Sequence, residues 1–373
     1  ASYILQAMAG NTFGKLLQIT TFGESHGASI GGILDGVPSG LTIDIESIQG
    51  ELDRRRPGTS HLTTARKEHD IVEILSGVIK NEDASLISTG TPIGFGIQNK
   101  DAKSKDYAYL KNAYRPSHAD YTYEAKYGLR DIRGGGRSSA RETACRVVGG
   151  AIAKQLLFAA SKVEISAYVE RVHDISVPFP PAFFERSVID ENIVRCPSKD
   201  IADRMIHRIE EVKNAGDTVG GSIVVVAKNV PSGWGEPVFD KLEADLAKAL
   251  MSIPAVKGIE VGSGFTGTLM KGSEHNDAFR TDKDGVVNTE TNRSGGIQGG
   301  ISNGEEIVLR IGFKPVSTIK KEQNTVNRDS EEMTISGKGR HDPCVLPRAV
   351  PIVEAMVALV LGDHLLRQRS ARL

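Results

Sequence analysis

The spacing of apolar residues along the chain changes repeatedly between the period of a strand and the period of a helix. Short apolar runs bounded by glycine or polar residues predict strands at 15–22, 30–34, 163–169, 222–227 and 306–312. Apolar residues three and four positions apart predict helices at 44–54, 201–215 and 239–251, a helix that begins at about residue 139, and a buried helix from residue 350. The pattern indicates a mixed protein of strands and helices with enough apolar material for a core.

One pattern of residues occurs twice, once in each half of the chain. A pair of glycines, a run of apolar residues and the letters Val-Pro-Ser-Gly occur at 31–40 and again at 220–233. A predicted helix follows each copy. We interpret the pattern as an internal pseudo-repeat, and this hypothesis predicts the same topology for both segments.

The stretch 134–142, with the sequence GGGRSSARE, is the most informative local motif. Contiguous glycines let the backbone turn its N–H groups toward a ligand, and Arg137 and Arg141 bracket the turn. Ser139 and Glu142 have the spacing of a capping box, which predicts a helix start with unpaired N–H donors. This combination suits an anion, although a tight turn into an ordinary helix would use the same residues. The motif is not the dinucleotide fingerprint, because that fingerprint has spaced glycines.

The letters GESHG at 23–27 match the serine-hydrolase motif G-x-S-x-G. That motif requires a strand, a sharp turn and then a helix. Here the apolar run at 30–34 predicts a second strand after the turn. We therefore interpret Ser25 and His26 as polar groups on a hairpin turn, and we keep a hydrolase with Ser25 as nucleophile as a minor alternative.

Several other polar clusters are candidates for chemistry. Residues 99–127 are polar and weakly periodic, which is typical of a functional loop, and RPSHAD lies at their centre. The three arginines at 54–56 end a predicted helix and serve either the helix dipole or an anionic ligand. The segment KPVST at 314–318 places a cation beside two hydroxyls, which can hold a phosphate. Asp342, within GRHDP, is either a base or half of an ion pair, and the neighbouring cations favour the ion pair.

Charge and cysteine usage narrow the classes of partner. The 46 Lys and Arg residues nearly cancel the 47 Asp and Glu residues, so no overall field attracts nucleic acid or a membrane surface. The three cysteines are far apart and lack metal spacing, which favours a reducing compartment, the cytoplasm, and argues against a metal site. The most apolar segment, 350–361, is interrupted by Glu354 and is shorter than the roughly 20 residues that span a bilayer.

In combination these motifs resemble the chorismate synthase family from about residue 8 to residue 369. The resemblance is carried by GESHGASIGGILDGVP at 23–38, GGGRSSARET at 134–143 and GRHDPC at 339–344 with Glu354 downstream, and it is supported by RRRPGTS at 54–60, RPSHADYTY at 115–123 and KPVST at 314–318. It implies an α+β fold, a β-α-β sandwich with helices between antiparallel sheets. It also implies a single domain over 8–373, with 1–7 as a tag or trimmed presequence, and a homotetramer.

The resemblance further implies a lyase. Members of the family remove phosphate from 5-enolpyruvylshikimate 3-phosphate by a 1,4-anti elimination and so form chorismate, the last common step of the shikimate pathway to aromatic amino acids. They require reduced FMN, although the reaction has no net redox change. A substrate with one phosphate and two carboxylates accounts for local arginine clusters in a chain of near-neutral charge.

Matched position by position, the resemblance assigns roles to residues of this chain. His26 would protonate the departing phosphate, His118 would help to keep the flavin in its anionic reduced form, and Asp342 would take part in removing the ring proton. The expected substrate contacts are Ser25, Arg55, His61, Arg115, Ser139, Ala140, Arg141 and Arg340. The expected FMN contacts are Arg137, Ser138, Ser139, Pro254, Ala255, Gly299, Lys314, Pro315, Val316, Ser317, Thr318 and Arg340.

Two positions depart from the usual family pattern. His61 stands where relatives often have arginine, and Pro254 stands where many have asparagine. No added domain is indicated, so we expect a monofunctional enzyme whose FMN is reduced by a separate NADPH-dependent flavin reductase. A flavin-dependent oxidoreductase, which would consume reductant at each turnover, and a non-catalytic binder of phosphorylated metabolites are the alternatives.

Overall fold

The computed structural model describes residues 10–58, 69–82, 84–100, 111–337 and 341–371. Two five-stranded antiparallel sheets form its outer layers. The first sheet contains, in spatial order, β1 (Thr12–Phe13), β2 (Gln18–Phe22), β3 (Ser29–Asp35), β8 (Ile93–Gln98) and β5 (Val72–Ile74). The second sheet contains β10 (Ile175–Ser176), β9 (Glu164–Val172), β11 (Gly221–Lys228), β17 (Ile307–Phe313) and β12 (Val256–Val261).

Smaller sheets lie beside these two layers. One has three strands, β4 (Thr42–Ile43), β7 (Leu86–Ser88) and β6 (Val78–Lys80). The others are two-stranded and pair β13 (Phe279–Thr281) with β14 (Val287–Thr289), β15 (Ile297–Gln298) with β16 (Ile301–Ser302), and β18 (Glu322–Val326) with β19 (Glu332–Ser336).

A layer of helices fills the space between the two large sheets. It contains α1 (Ile45–Arg55), α3 (Thr143–Ser161), α6 (Leu242–Met251) and α8 (Leu346–Gln368). The helices α2 (Asp120–Tyr127), α4 (Arg186–Ile189), α5 (Lys199–Asn214) and α7 (Gly272–His275) lie outside this layer.

The helices α3 and α8 pack closely against each other. A Cβ on Gly150 would lie 2.3 Å from Ala355 Cβ, so the two helices approach this closely only because residue 150 is glycine. α3 also contacts β2 and β3, and α8 contacts β9 and β11. By length and composition α8 resembles a membrane-spanning helix, but 94% of its apolar window is buried inside the protein, as expected of a core helix. The predicted sandwich of helices between antiparallel sheets is confirmed.

The two halves of the layered core have the same topology. Each half runs through two adjacent strands, a helix, an edge strand, a strand that inserts beside the second one, and a long core helix. In the first half these elements are β2, β3, α1, β5, β8 and α3, and in the second they are β9, β11, α6, β12, β17 and α8. The matching strand orders are the outcome that the pseudo-repeat hypothesis predicts.

Most predicted elements lie within a few residues of the observed ones, but two predictions were wrong in detail. The capping box of Ser139 and Glu142 does not form. Two 3₁₀ turns at 136–138 and 140–142 precede α3, and the Glu142 carboxylate accepts instead from Thr21 Oγ1, at 3.1 Å, and from Arg146. The supposed loop at 99–127 ends in the helix α2, and its residues 101–110 lie outside the described part of the chain.

Candidate active site

A cavity of about 890 Å³ lies where the ends of the four core helices meet. The residues after α1 and α6 form part of its wall, as do the first turns of α3 and α8. The two halves of the pseudo-repeat therefore contribute equivalent elements to one site. The N-termini of two long helices supply unpaired N–H groups and partial positive charge there, which favours anionic ligands.

The cavity brings together most residues that the sequence marked as candidates. They come from seven separate segments: His26, Arg55, Arg115 and His118, Arg137–Arg141, Pro254 and Ala255, Lys314–Thr318, and Asp342. Ser25 and Gly299 are not part of the wall. Ser25 is buried and its hydroxyl donates to Arg133 O at 3.5 Å, and Gly299 forms the turn between β15 and β16. His61, Arg340 and residues 1–7 lie outside the described residues.

The turn between β2 and β3 presents His26, as predicted, and the glycine stretch covers it. Gly134 and Gly135 have φ values of +73° and +88°. A Cβ on Gly134 would lie 2.5 Å from His26 Cε1, and a Cβ on Gly135 would lie 3.4 Å from His118 Cε1. Glycine is therefore required at 134 by the left-handed backbone and by its close approach to His26, and at 135 by the left-handed backbone. The strand–turn–strand context also removes the basis for a hydrolase nucleophile at Ser25.

The Arg137 guanidinium binds oxygen atoms of the protein, whereas a cation in a glycine-rich loop is expected to bind an anionic ligand. Its Nη2 donates to Thr21 Oγ1 at 2.8 Å, to Thr21 O at 3.1 Å and to Asn11 Oδ1 at 3.0 Å. Its Nη1 donates to Gly23 O at 3.3 Å. The guanidinium thus anchors the glycine loop to the first sheet.

Arg55 and Arg141 form a buried pair on either side of one carboxylate. Asp70 Oδ2 lies 3.0 Å from Arg55 Nη1, and Asp70 Oδ1 forms an ion pair with Arg141 Nη1. Burial lowers the pKa of Arg55 to about 10, against the opposing effect of Asp70. Burial alone would raise the pKa of Asp70, but Arg55 and Arg141 outweigh it and hold that pKa below its usual value.

A second carboxylate, Asp120, organises the segment 115–120. It accepts from Arg115 Nε and Nη2, both at 2.8 Å, and it lies 3.1 Å from His118 Nδ1. Burial would raise the pKa of Asp120, but the hydrogen bonds from Arg115 and His118 place it well below its usual range. Burial lowers the pKa of His118 despite the nearby carboxylate, so the ring is neutral near pH 7. With Nδ1–H donated to Asp120, His118 presents Nε2 as its other nitrogen.

Asp342 is half of an ion pair, as the neighbouring cations suggested. Its partner is Arg348 Nη1, and Arg348 Nε also donates to Arg55 O at 3.2 Å, so one side chain ties α8 to the end of α1. At another wall, Lys314 Nζ lies 2.8 Å from Ser317 Oγ and 3.1 Å from Ser117 Oγ. Burial lowers the pKa of Lys314, and the charge of Lys257 acts in the same direction.

Sequence reasoning missed the groups that hold the predicted residues in place. Asp70, Asp120 and Arg348 each fix one or two of them. Asp70 belongs to no motif and is adjacent to its partners only in space. Arg348 could have been identified from the sequence. A cation in the first turn of a helix interacts unfavourably with the helix dipole, so a specific partner is expected for it.

The charges of the wall suit a ligand with several negative groups. Among the described residues, eight cationic side chains line the cavity: Arg55, Arg115, Arg137, Arg141, Arg146, Lys248, Lys314 and Arg348. Four carboxylates lie in or behind the wall: Asp70, Glu142, Asp120 and Asp342. Within the same described ranges, no three His, Cys, Asp or Glu residues are grouped so that they could hold a metal ion.

Comparisons with known proteins show the family of the chain. The family model described as chorismate synthase matches residues 17–366. The chain is 59% identical over 361 residues to a chorismate synthase of Trichormus variabilis, covering 97% of this chain and 98% of the relative. It is 57% identical over 366 residues to a chorismate synthase of Christiangramia forsetii, covering 98% and 100%.

A solved structure has the same fold. A crystal structure of a chorismate synthase superposes with a TM-score of 0.74 at 30% sequence identity, and the match covers 96% of this chain and 94% of that chain. Both the sequence similarity and the fold extend over the elements that form the cavity. The chain therefore belongs to the chorismate synthase family, lyases of the shikimate pathway that require a reduced flavin.

Proposed function

We propose that this chain converts 5-enolpyruvylshikimate 3-phosphate to chorismate with FMN as its flavin, and that the cavity at the helix ends is the site. The observation that carries the proposal is the meeting of the buried arginine pair, two imidazoles and Asp342 around one cavity. The family assignment gives the reaction, and these residues supply an anion-binding wall with groups that can move protons.

The cavity fits a flavin together with a small polyanion. Arg141 Nη2 is buried and has no hydrogen-bond partner among the described residues, which marks it as a donor for an anionic group. An apolar wall suits the flavin ring system, and it is formed by Phe13, Ile19, Ile253, Val345, Ile352 and Met356. Lys314 with Ser317 and Thr318 would hold the FMN phosphate, and the backbone at Pro254–Ala255 and at Ser138–Ser139 would line the cofactor.

Each catalytic side chain has a definite task in this proposal. His26, held under the glycine loop, would donate a proton to the departing phosphate, which contributes ~10²- to 10⁴-fold in rate for a positioned acid. His118, held by Asp120 through Nδ1, would act through Nε2. Asp342, held by Arg348, would accept the ring proton. When bound, the reduced flavin supplies electron density to the allylic system during C–O cleavage and recovers it afterwards.

The same proposal covers the assembly and supply of the enzyme. We infer a single domain over 8–373, a homotetramer and a cytoplasmic location, since these follow from the family resemblance and the cysteine usage. We also infer that reduced FMN is supplied by a separate NADPH-dependent reductase. Measurable oxidation of NADPH by the pure protein with FMN would contradict this part.

A flavin titration tests the cofactor assignment. Reduced FMN and reduced riboflavin are added anaerobically in the presence of substrate, and the flavin spectrum reports binding. Because the proposed phosphate site uses a cation and two hydroxyls, FMN should bind ~10- to 100-fold more tightly than riboflavin. Equal affinities would mean that Lys314, Ser317 and Thr318 do not hold the phosphate.

A further inference from the structure

The helix α1 carries two consecutive buried arginines, and each is paired with a buried carboxylate. Arg54 pairs with Glu354, which also lies 2.7 Å from Lys154 Nζ, and none of these three residues lines the cavity. Arg55 lines the cavity and pairs with Asp70 behind it. The carboxylates of Glu354 and Asp70 are about equally buried, at 3% and 2% exposure. They differ mainly in their partners, because Arg55 lines the cavity and Arg54 does not.

Asp70 links two arginines that arrive from different elements. Arg55 ends α1, Arg141 precedes α3, and Asp70 lies just before β5 with a left-handed backbone at φ 47°. One carboxylate oxygen faces each guanidinium. Positive φ is uncommon outside glycine, although Asp adopts it more readily than most residues, and here the carboxylate lies between the two guanidinium groups.

The hydrogen bonds of the two arginines leave one donor for a ligand. Arg55 Nε donates to Thr143 Oγ1 at 3.2 Å and its Nη2 donates to Ala140 O at 2.7 Å. Arg141 Nε donates to Asn99 Oδ1 at 3.0 Å. With Nη1 of both arginines on Asp70, the buried Nη2 of Arg141 has no partner in the described ranges.

We propose that Asp70 is a positioning residue for the substrate: it holds Arg55 and Arg141 as one fixed pair and leaves Arg141 Nη2 to meet an anionic group of the substrate. This inference rests on the proposed function for the identity of that substrate. Two guanidinium groups at close range repel each other in a buried site, and the shared carboxylate offsets this repulsion. A preorganised donor also loses less entropy when the ligand binds.

The direction in which substrate affinity changes when the Asp70 charge is removed distinguishes a positioning role from simple charge balance. Removing a negative charge from an anion site should tighten substrate binding if only net charge matters. If Asp70 positions the two arginines, the same removal should weaken binding. The isosteric substitution Asp70→Asn removes the charge with little change in volume, so it distinguishes the two cases.

The main experiment compares Asp70→Asn with the matched control Glu354→Gln. Substrate affinity is measured by calorimetry, and KM and kcat are measured with reduced FMN. For Asp70→Asn we expect a ~10- to 100-fold weaker affinity and a similar rise in KM, with a smaller change in kcat, because a charged hydrogen-bonded pair is disrupted. Glu354→Gln should lose thermal stability but keep its KM. Unchanged or tighter substrate binding by folded Asp70→Asn would overturn the proposal.

A pH series adds a readout that a purely structural role would not move. The charged groups facing Arg55 are Asp70, Arg141 and Arg348, and of these only Asp70 raises the pKa of Arg55. Without it, the pKa of Arg55 should be lower still, so the substrate affinity of Asp70→Asn should fall with rising pH earlier than that of the wild type. Identical pH profiles for the two proteins would contradict the proposal.

A second pair of variants covers the case in which Asp70→Asn does not fold. Arg55→Gln is compared with the double variant Arg55→Gln/Asp70→Asn, which removes both partners of one ion pair together. Because Asp70 also holds Arg141, the double variant should bind substrate more weakly than Arg55→Gln, and equal affinities would overturn the proposal. A wild type that forms no chorismate would instead refute the proposed function.

Discussion

Replacing Gly134 with alanine should damage catalysis by displacing His26. The new Cβ would lie 2.5 Å from His26 Cε1 and 2.7 Å from His26 Nδ1. Carbon atoms in ordinary contact are ~3.5 to 4.0 Å apart, so the imidazole has to move by about 1 Å. A displacement of about 1 Å near the chemistry can cost ~10²-fold, and full loss of a general acid costs ~10²- to 10⁴-fold. We therefore expect a fall in kcat of ~10²-fold or more.

The chain offers a matched control for backbone strain. Gly128 has φ +72°, against +73° for Gly134, and a Cβ on Gly128 would meet no atom within 4 Å. Both alanine variants therefore carry the same left-handed strain of ~1–2 kcal/mol, but only one displaces a histidine. The loss of thermal stability that comes from backbone strain should be similar in both variants, and in Gly134→Ala the clash with His26 adds to it. Only Gly134→Ala should lose kcat.

The assay is steady-state turnover with chemically reduced FMN under anaerobic conditions, for both variants and for His26→Ala. If Gly134 acts through His26, adding Gly134→Ala to His26→Ala should change kcat little, because the two changes remove the same group. A Gly134→Ala enzyme with the kcat of Gly128→Ala would refute the reasoning, as would full additivity with His26→Ala.

Three further predictions concern charge and burial. Asp120 has a pKa well below its usual value in the folded state, so it adds stability that is fully present above pH ~4 and is lost progressively as the pH falls further. In urea denaturation, the gap in free energy of unfolding between wild type and Asp120→Asn should be widest near pH 7 and should begin to narrow below pH ~4. Lys314→Met should raise the dissociation constant of reduced FMN by ~10- to 100-fold and leave that of riboflavin nearly unchanged in anaerobic titrations. Burial raises the pKa of the Cys145 and Cys344 thiols to about 12, and Cys196 is also buried, so a thiol reagent should label three cysteines after denaturation and none in the native protein.

Local sequence patterns were sufficient to predict most helices and strands and most of the candidate residues that line the cavity. The apolar run at 30–34 and the helical spacing of Ile45, Ile48 and Leu52 reflect packing of these residues against the core, which the sequence records directly. The glycine stretch marked an anion site because a left-handed backbone and exposed N–H groups need glycine at those positions. The twice-occurring Val-Pro-Ser-Gly pattern likewise indicated a repeat, and the two halves have equivalent strand orders.

The remaining features depend on contacts between distant segments. Arg137 carries the charge expected of a ligand contact, yet its side chain binds β2, and only the folded chain shows which direction it takes. The capping box failed because Thr21 and Arg146 compete for Glu142. Asp70 lies 71 positions from Arg141 in the sequence, so no local pattern could pair them. Residues that position others are harder to predict than the residues they position, because their identity is set by tertiary geometry.

The central claim is that this cavity performs a phosphate elimination in which the flavin is required but not consumed. The most direct measurement is an anaerobic reaction of the pure protein with 5-enolpyruvylshikimate 3-phosphate and a small amount of chemically reduced FMN, with phosphate, chorismate and the flavin spectrum recorded together. Our account predicts equal amounts of phosphate and chorismate over many turnovers, with the flavin still reduced at the end. Product formation that stops after one equivalent of flavin is oxidised, or flavin and substrate binding without any product, would contradict it.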